Sequence, residues 1–141
     1  MKHDQHIALL LALIVGLNII LISWFYPQLL QYQSGSVVGR YIVEQKIPAD
    51  KFFFYKFTGS GKSIHFYAKH IIGSIDSLDA ATTGTYLYTS DEGLKEIQQS
   101  GKLHVIEKEG PDYHVTALTG KFLNKNTREE QCGNYYVVKM L

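Results

Sequence analysis

Charged residues are missing from a long stretch near the N-terminus, because no Asp, Glu, Lys or Arg occurs between Asp4 and Arg40. Cysteine occurs once, at Cys132, so the chain cannot form an internal disulfide. An excess of either charge is missing too, since 14 basic residues stand against 13 acidic ones. A nearly neutral chain lacks the positive field typical of nucleic-acid binding, and we expect no nucleic-acid partner.

The uncharged stretch contains an apolar segment from Ile7 to Tyr26, IALLLALIVGLNIILISWFY. A helix of about 20 residues rises roughly 30 Å, the thickness of the hydrocarbon core of a bilayer. Trp24, Phe25 and Tyr26 close the segment, and such side chains prefer the headgroup level. We predict a transmembrane helix with these three residues at the membrane interface. A cleaved signal peptide and a buried helix of a soluble domain are the alternatives.

Basic residues around the apolar segment bear on its orientation. Lys2 precedes it, whereas Arg40 and Lys46 lie well beyond it. The positive-inside rule then favours a cytoplasmic N-terminus. The predicted organisation has four parts in chain order: an N-terminal flank (1–6), the transmembrane helix (7–26), a juxtamembrane connector that begins at Pro27 (27–36) and an extracytoplasmic α/β domain (37–141).

Short helical and strand-like patterns alternate after the connector. Helices are predicted at 37–46, capped by Ser36, at 62–70 and at 91–100, capped by Ser90. Strands are predicted at 52–57, 85–89, 103–108, 113–118 and 134–141, with a further one just before residue 74. A turn at 109–112 would join two of the late strands. This order predicts an α/β fold with a mixed sheet of about five or six strands and three short helices.

A glycine-rich turn before the second predicted helix, Gly59-Ser60-Gly61-Lys62-Ser63, is spelled like the end of a phosphate-binding loop. That loop requires an earlier glycine in the pattern Gly-x-x-x-x-Gly-Lys-Ser/Thr. Here the early position is occupied by Lys56. The spacing therefore argues against a nucleotide cradle, and we predict a flexible strand-to-helix turn with a serine cap.

The polar residues show no pattern typical of metal binding or catalysis. The six histidines include no pair at zinc-ligand spacing with a third ligand nearby, so we expect no metal and no cofactor. The sequence has no Gly-x-Ser-x-Gly elbow, and Cys132 has no base beside it. No catalytic residue is predicted.

Several stretches, taken in order, resemble a known family. They are YPQLLQYQSGS (26–36), SIHFY (63–67), KFLNKNTR (121–128) and YYVVKML (135–141). Together they resemble the C-terminal portion of polyprenyl-phosphate-sugar-dependent membrane glycosyltransferases of the aminoarabinose transferase and protein O-mannosyltransferase type, particularly those of Bacteroidetes-like bacteria. The likeness covers nearly the whole chain.

The resemblance implies the last transmembrane helix of such an enzyme and its small extracytoplasmic domain. These enzymes move a lipid-linked sugar to an envelope acceptor, and their catalytic carboxylate lies in an earlier loop. Here the only acidic residue before Glu44 is Asp4, so no catalytic residue is carried over. We therefore expect a membrane-anchored accessory domain that is not catalytic alone. It would lie in the bacterial inner membrane, with its N-terminus cytoplasmic and its C-terminal domain periplasmic.

The resemblance also implies contacts with a ligand or partner. The side chains concerned are Lys62, His65, Tyr67, Asn124 and Arg128. Besides the lipid bilayer, the implied partners are a multi-spanning glycosyltransferase bundle or a polyprenyl-phosphate sugar. The alternative is a stand-alone membrane-anchored protein-interaction module of the cell envelope. Whether the chain is a fragment of a longer enzyme or a complete protein stays open at this point.

Overall fold

The structure is a computed structural model that describes residues 2–59, 61–114 and 116–141. Met1 of the predicted flank, Ser60 of the glycine-rich turn and Val115 of the strand predicted over 113–118 lie outside the described residues. The chain divides into two compact units, Met1–Gln31 and Tyr32–Leu141.

The first unit is helical throughout its described residues. Helix α1 (Lys2–Ile20) leads through a π-helical turn (Leu21–Phe25) into α2 (Tyr26–Leu30). The wide turn precedes Pro27, which has no N–H to donate and whose ring would press on the carbonyl one turn earlier. The helical path thus continues past the proline to Leu30. Its segment Gln5–Leu30 reaches a mean hydropathy of 2.6 and is long and apolar enough to cross a membrane.

The second unit is built on a five-stranded mixed sheet, which confirms the predicted α/β fold. The strands are β1 (Phe52–Tyr55), β2 (Gly73–Ile75), β3 (Tyr86–Ser90), β4 (His104–Asp112) and β5 (Gly133–Met140). Their order is β2-β1-β3-β5-β4. β1 is parallel to β2 and β3, whereas β5 is antiparallel to both β3 and β4. All strands except β5 therefore point the same way.

Helices cover both faces of this sheet. They are α3 (Ser34–Glu44), α4 (Lys62–Ala68) and α5 (Asp91–Gln99). A short helix, α6 (Gly120–Leu123), lies between β4 and β5 in the chain. Successive side chains of a strand point to opposite faces, and β3 shows both. Tyr88 packs in one core cluster with Ile42 of α3 and Ile64 of α4. Its neighbour Leu87 packs in the other with Ile97 of α5.

The strand predicted at 103–108 forms the first part of β4, but the turn at 109–112 and the strand at 113–118 were predicted wrongly. β4 runs from His104 to Asp112, with a shift in its pairing to β5 between Ile106 and Lys108, and Pro111 pairs with Asn134 where a turn was expected. The proline is tolerated because β4 is an edge strand, where an N–H can be dispensed with. Gly110 lies beneath the Tyr135 ring, because an added Cβ would be 3.1 Å from Tyr135 Oη. The described residues of 113–118 form no strand.

Helices α4 and α5 start at Lys62 and Asp91 as predicted, whereas the start of α3 and the expected serine caps differ from the prediction. Helix α3 begins at Ser34, and the expected cap Ser36 lies inside it, donating from Oγ to the Gln33 carbonyl at 3.0 Å. The residue before α4 is Gly61, with φ of 64°, so Ser63 does not cap that helix. Ser90 does precede α5, but its side chain makes no capping hydrogen bond. Helix α6 lies in a region for which no helix or strand was predicted.

Helices α3 and α4 approach closely through a glycine of α3. A Cβ at Gly39 would press on the Tyr67 Cβ and lie 3.0 Å from the Ile64 carbonyl oxygen and 3.1 Å from the Ala68 nitrogen. Backbone atoms cannot move aside as a flexible side chain can. This contact therefore fixes the distance between the two helices on one face of the sheet.

We predict that Gly39→Ala lowers the free energy of unfolding by about 1–3 kcal/mol, because the added methyl group overpacks the α3–α4 contact. Denaturant unfolding of the full chain in detergent, followed by near-UV circular dichroism, measures this loss. Gly120→Ala is the matched control, since no atom lies within 4 Å of a Cβ added there. Equal unfolding free energies for the two variants would contradict the packing account.

Candidate functional site

The carboxyl ends of β1, β2, β3 and β4 lie along one edge of the sheet, because these strands share a direction. The chain leaves β1 for α4 and β2 on one side, and leaves β3 for α5 and β4 on the other. The two connections therefore diverge between β1 and β3. Open α/β sheets bind ligands in the crevice formed at such a point.

Two adjoining cavities occupy this crevice, with volumes of about 360 and 340 Å³. Both are lined by Phe57, Thr58, Tyr88 and Asp112, and we call the space that they form the central cleft. A third cavity of about 470 Å³, on the β2 side, shares Phe57 and Thr58 with it. The loop after β1 thus forms a wall of all three cavities.

Hydrogen bonds at the base of the central cleft join three elements. The Tyr88 hydroxyl donates to Ser34 Oγ at 2.9 Å, and this bond is buried. The Ser34 backbone N–H, at the start of α3, donates to Asp112 Oδ1 at 3.4 Å. Burial raises the pKa of Tyr88, so its hydroxyl stays protonated and acts as a donor. A carboxylate offers about four lone-pair sites, so Asp112 can accept further hydrogen bonds from a ligand.

An aromatic cluster supports one wall of the cleft. The Phe57 ring centroid lies 4.9 Å from that of Phe54 and 5.1 Å from that of Tyr88. Tyr88 stacks in turn on Tyr135 at 5.9 Å. Aromatic side chains packed in this way lose most of their rotamer freedom. Phe57, half-buried at the surface of this cluster, is thereby held as a firm apolar wall.

Acidic residues predominate around the three cavities. Asp76, Asp91, Glu92 and Asp112 line them, while Lys56 and His114 are the basic side chains among the described lining residues. An acidic surface repels phosphate and favours neutral or cationic groups. Hydroxyl-rich neutral ligands suit such a site because carboxylates accept their hydrogen bonds.

Lys56 is held by a carboxylate of α5. Its Nζ lies 3.3 Å from Glu96 Oε1, while the Tyr55 hydroxyl donates to Glu96 Oε2 at 2.6 Å. The hydrogen bond from Tyr55, together with that from Lys56, lowers the pKa of Glu96. Burial, with the same hydrogen bond, raises the pKa of Tyr55 to about 12. The network thus ties the end of β1 to α5 and balances the charge of Lys56.

Three of the predicted contact residues, Lys62, His65 and Tyr67, lie on α4. His65 Nδ1 accepts a hydrogen bond from the Ile72 N–H at 3.1 Å, and its ring meets Phe54 edge-on at 5.5 Å. Tyr67 packs against α3. Lys62 is exposed. Among the described lining residues, none of the three belongs to the central cleft.

The other two predicted contact residues follow α6. Arg128 donates from Nε to the Phe122 carbonyl at 2.8 Å, and its guanidinium lies over the Tyr32 ring at 5.3 Å. Asn124 Oδ1 accepts from the Asn126 N–H at 3.0 Å. Their polar groups thus engage the loop itself, and neither lines the central cleft as described.

Sequence reasoning missed the residues at the base of the cleft. Tyr88 falls in the strand predicted at 85–89, and Asp112 in the turn predicted at 109–112, so neither was predicted as a site residue. The sequence does contain one signal, since Asp112 follows a β-rich run and precedes an aromatic residue. That signal was masked by Gly110 and Pro111, which normally indicate a turn. Ser34 could not be found without knowing that α3 starts there.

The glycine-rich turn has a structural role at the rim of the cleft. Gly61 adopts the left-handed conformation, and a Cβ there would lie 2.6 Å from Cζ of Phe54. Only glycine satisfies both the backbone and the close contact. The turn therefore serves to start α4 directly above the aromatic cluster.

The described residues contain no group of three or more His, Cys, Asp or Glu side chains that could hold a metal ion. Cys132 is a free thiol whose Sγ lies 3.3 Å from the Arg128 carbonyl oxygen. Burial raises the pKa of this thiol. No family model, curated protein or solved structure matches the chain.

We predict that Glu96 contributes to the pH dependence of stability. Its folded-state pKa is lowered, so its contribution is present above the unfolded-state pKa and is lost as pH falls through the folded-state value. The melting temperature of the wild type should therefore drop more between pH 7 and pH 3 than that of Glu96→Gln. Thermal unfolding by circular dichroism measures both slopes.

Glu92→Gln is the control for this comparison, because it removes the same charge from an exposed position of α5. This variant should keep the slope of the wild type. The assignment to Glu96 would be wrong if the two glutamine variants flattened the pH dependence equally.

Proposed function

We propose that the chain is a membrane-anchored accessory domain that recognises a sugar for a lipid-linked-sugar glycosyltransferase of the cell envelope. The observation that supports it best is the central cleft, where Asp112 and Ser34 stand beside the aromatic wall of Phe57. Sugars have hydroxyl groups that form hydrogen bonds with carboxylates and hydroxyls. They also have apolar C–H faces that pack on aromatic rings. The resemblance described above supplies the transferase part of the proposal.

The groups of the cleft suit binding better than proton transfer. Burial raises the pKa of Tyr88, so its phenol stays protonated and does not supply a base. Its hydrogen is donated to Ser34. The ammonium group of Lys56 is paired with Glu96. Recognition beside a catalytic partner therefore fits these side chains, with the bond-breaking step left to a multi-spanning glycosyltransferase bundle.

The acidic lining bears on which part of a donor would enter. A polyprenyl-phosphate sugar has an anionic phosphate and a neutral or amino sugar. The carboxylates around the cleft disfavour the phosphate, so the sugar group is the part that we place there. In this proposal the apolar helix anchors the chain in the bacterial inner membrane, with the N-terminus cytoplasmic and the domain periplasmic.

We expect a methyl glycoside to bind in the central cleft. The full chain in lipid nanodiscs would be mixed with methyl α-mannoside or methyl glucosaminide, and saturation-transfer NMR would detect contact. Asp112→Asn should weaken binding about tenfold, because a hydrogen bond to a charged group contributes roughly 1.5–3 kcal/mol. Asp50→Asn, at an exposed carboxylate outside the cleft, should bind as the wild type does.

Saturation transfer that is absent for both glycosides, or unchanged in Asp112→Asn, would count against the sugar site. Methyl phosphate is the anionic comparison, and we expect it to show no transfer. A phosphate signal stronger than the sugar signals would reverse the assignment of the cleft.

A second candidate function is a stand-alone protein-interaction module, and the edge strand β4 favours it. Val105 and Ile106 are exposed apolar side chains on this strand, and Leu103 just before it is 74% exposed. An unpaired strand edge can take up an extended segment of another protein.

Co-purification from native membranes separates the two functions. Capture of a multi-spanning glycosyltransferase, identified by mass spectrometry, supports the accessory domain. Capture of an unrelated envelope protein that is lost in Val105→Lys supports the interaction module.

A further inference from the structure

The outer side of α4 and the turn after it present two large apolar side chains to solvent. Phe66 is 77% exposed and Ile71 is 84% exposed. Neither is needed for the core, because α4 packs inward through Ile64 and Ala68. Exposed apolar groups of this size, with basic residues near them in the chain, indicate a contact surface.

Basic residues stand at both ends of α4. At about 100° per residue, Lys62 and Phe66 fall on one side of the helix, opposite Ile64 and Ala68, and Lys69 follows the last helical residue. Lys62, Phe66 and Lys69 are exposed. The result is a phenylalanine between two lysines, which is the pattern of a helix face that lies at a membrane surface.

A hydrogen bond brings Ile71 to this surface. The Ile72 N–H donates to Nδ1 of His65 at 3.1 Å, which folds the turn back against α4. Ile71 and Phe66 are the sequence neighbours of the two bonded residues. Lys69, with φ of 63°, makes the sharp reversal of the chain. We call Lys62, Phe66, Lys69 and Ile71 the α4 patch.

We propose that the α4 patch binds the bilayer surface, with Phe66 and Ile71 inserted among anionic headgroups that pair with Lys62 and Lys69. A lipid surface is favoured as the occupant because the apolar helix ends at Leu30 and α3 begins at Ser34. The short segment between them spans about 3.5 Å per residue at most, so an anchored domain stays within reach of the headgroups. A tether of this kind gives the patch a high effective concentration of lipid.

The inference rests on the membrane anchor of the proposed function, but it is independent of the sugar site. It assigns the domain a second contact with the membrane besides the apolar helix. Such a contact would limit how freely the domain turns on its tether.

Fluorescence of the reconstituted full chain tests the patch. In a Cys132→Ser background, Ile71→Cys is labelled with an NBD fluorophore, and Gln98→Cys, on the exposed part of α5, is the matched control. The proteins are placed in vesicles of phosphatidylcholine with or without phosphatidylglycerol. We expect the label at 71 to be quenched by iodide several-fold less than the label at 98, and most clearly with phosphatidylglycerol present.

Charge variants separate headgroup attraction from simple burial. The double variant Lys62→Gln and Lys69→Gln should lose the effect of phosphatidylglycerol. The double variant Lys121→Gln and Lys125→Gln, which removes two exposed lysines elsewhere, should keep it.

Trp24 is the only tryptophan, so its quenching by brominated lipid in unlabelled protein reports the anchor separately. If brominated lipid quenches Trp24 but iodide quenches the labels at 71 and 98 equally, the proposed membrane contact of the α4 patch is wrong and the membrane anchor stands. If brominated lipid does not quench Trp24, both the membrane anchor and the membrane contact of the α4 patch are wrong. Protection at 71 that rises with protein density and not with lipid charge would assign the patch to a second copy of the chain.

Discussion

The buried hydrogen bond between the Tyr88 hydroxyl and Ser34 Oγ is the contact on which the site depends. It joins the central strand β3 to the first turn of α3, and no other polar pair links these two elements so deep in the described structure. A tyrosine buried in this position requires a partner for its hydroxyl, since an unpaired one costs about 1–3 kcal/mol. The start of α3 is therefore fixed by the chemistry of β3.

The consequences reach the rim of the cleft. Once Ser34 is placed, its backbone N–H meets Asp112 at the end of β4, and the opposite sides of the crevice are held together. The ring of Tyr88 also supports Phe57, which forms the apolar wall. One side chain thus sets both the polar and the apolar part of the site. This double role explains why the cleft lies between β1 and β3, where the connections diverge.

Fold class was accessible from the sequence because it depends on local patterns. Phe52–Tyr55 and Asp91–Gln99 were predicted within a few residues, as a dense apolar run and an amphipathic helix respectively. The pairing of strands in a sheet could not be predicted in this way, because it depends on residues that are distant in the sequence. Gly110 and Pro111 indicate a turn locally, yet the edge position and the Tyr135 ring allow the strand to continue through them.

The site was less accessible for the same reason. Asp112 becomes a site residue only when β4 ends beside β3, and Ser34 only when α3 begins three residues before the expected start. Both placements follow from long-range packing that no short window of sequence contains. Of the α4 patch, only Lys62 was among the predicted contact residues. Lys62, His65 and Tyr67 do not line the central cleft as described.

The two surfaces of α4 therefore serve different purposes, and its two ends explain why. Gly61, just before the helix, has a left-handed conformation that glycine adopts readily, and it lies directly over Phe54. This close contact holds the inner side of α4 against the aromatic cluster. Lys69 ends the helix after two turns, and the bond between His65 and Ile72 returns the chain to β2. A longer helix would have carried Ile71 away from Phe66. The short helix thus has its inner side packed against the aromatic cluster beside the central cleft, while the exposed side chains of the α4 patch lie on its outer side.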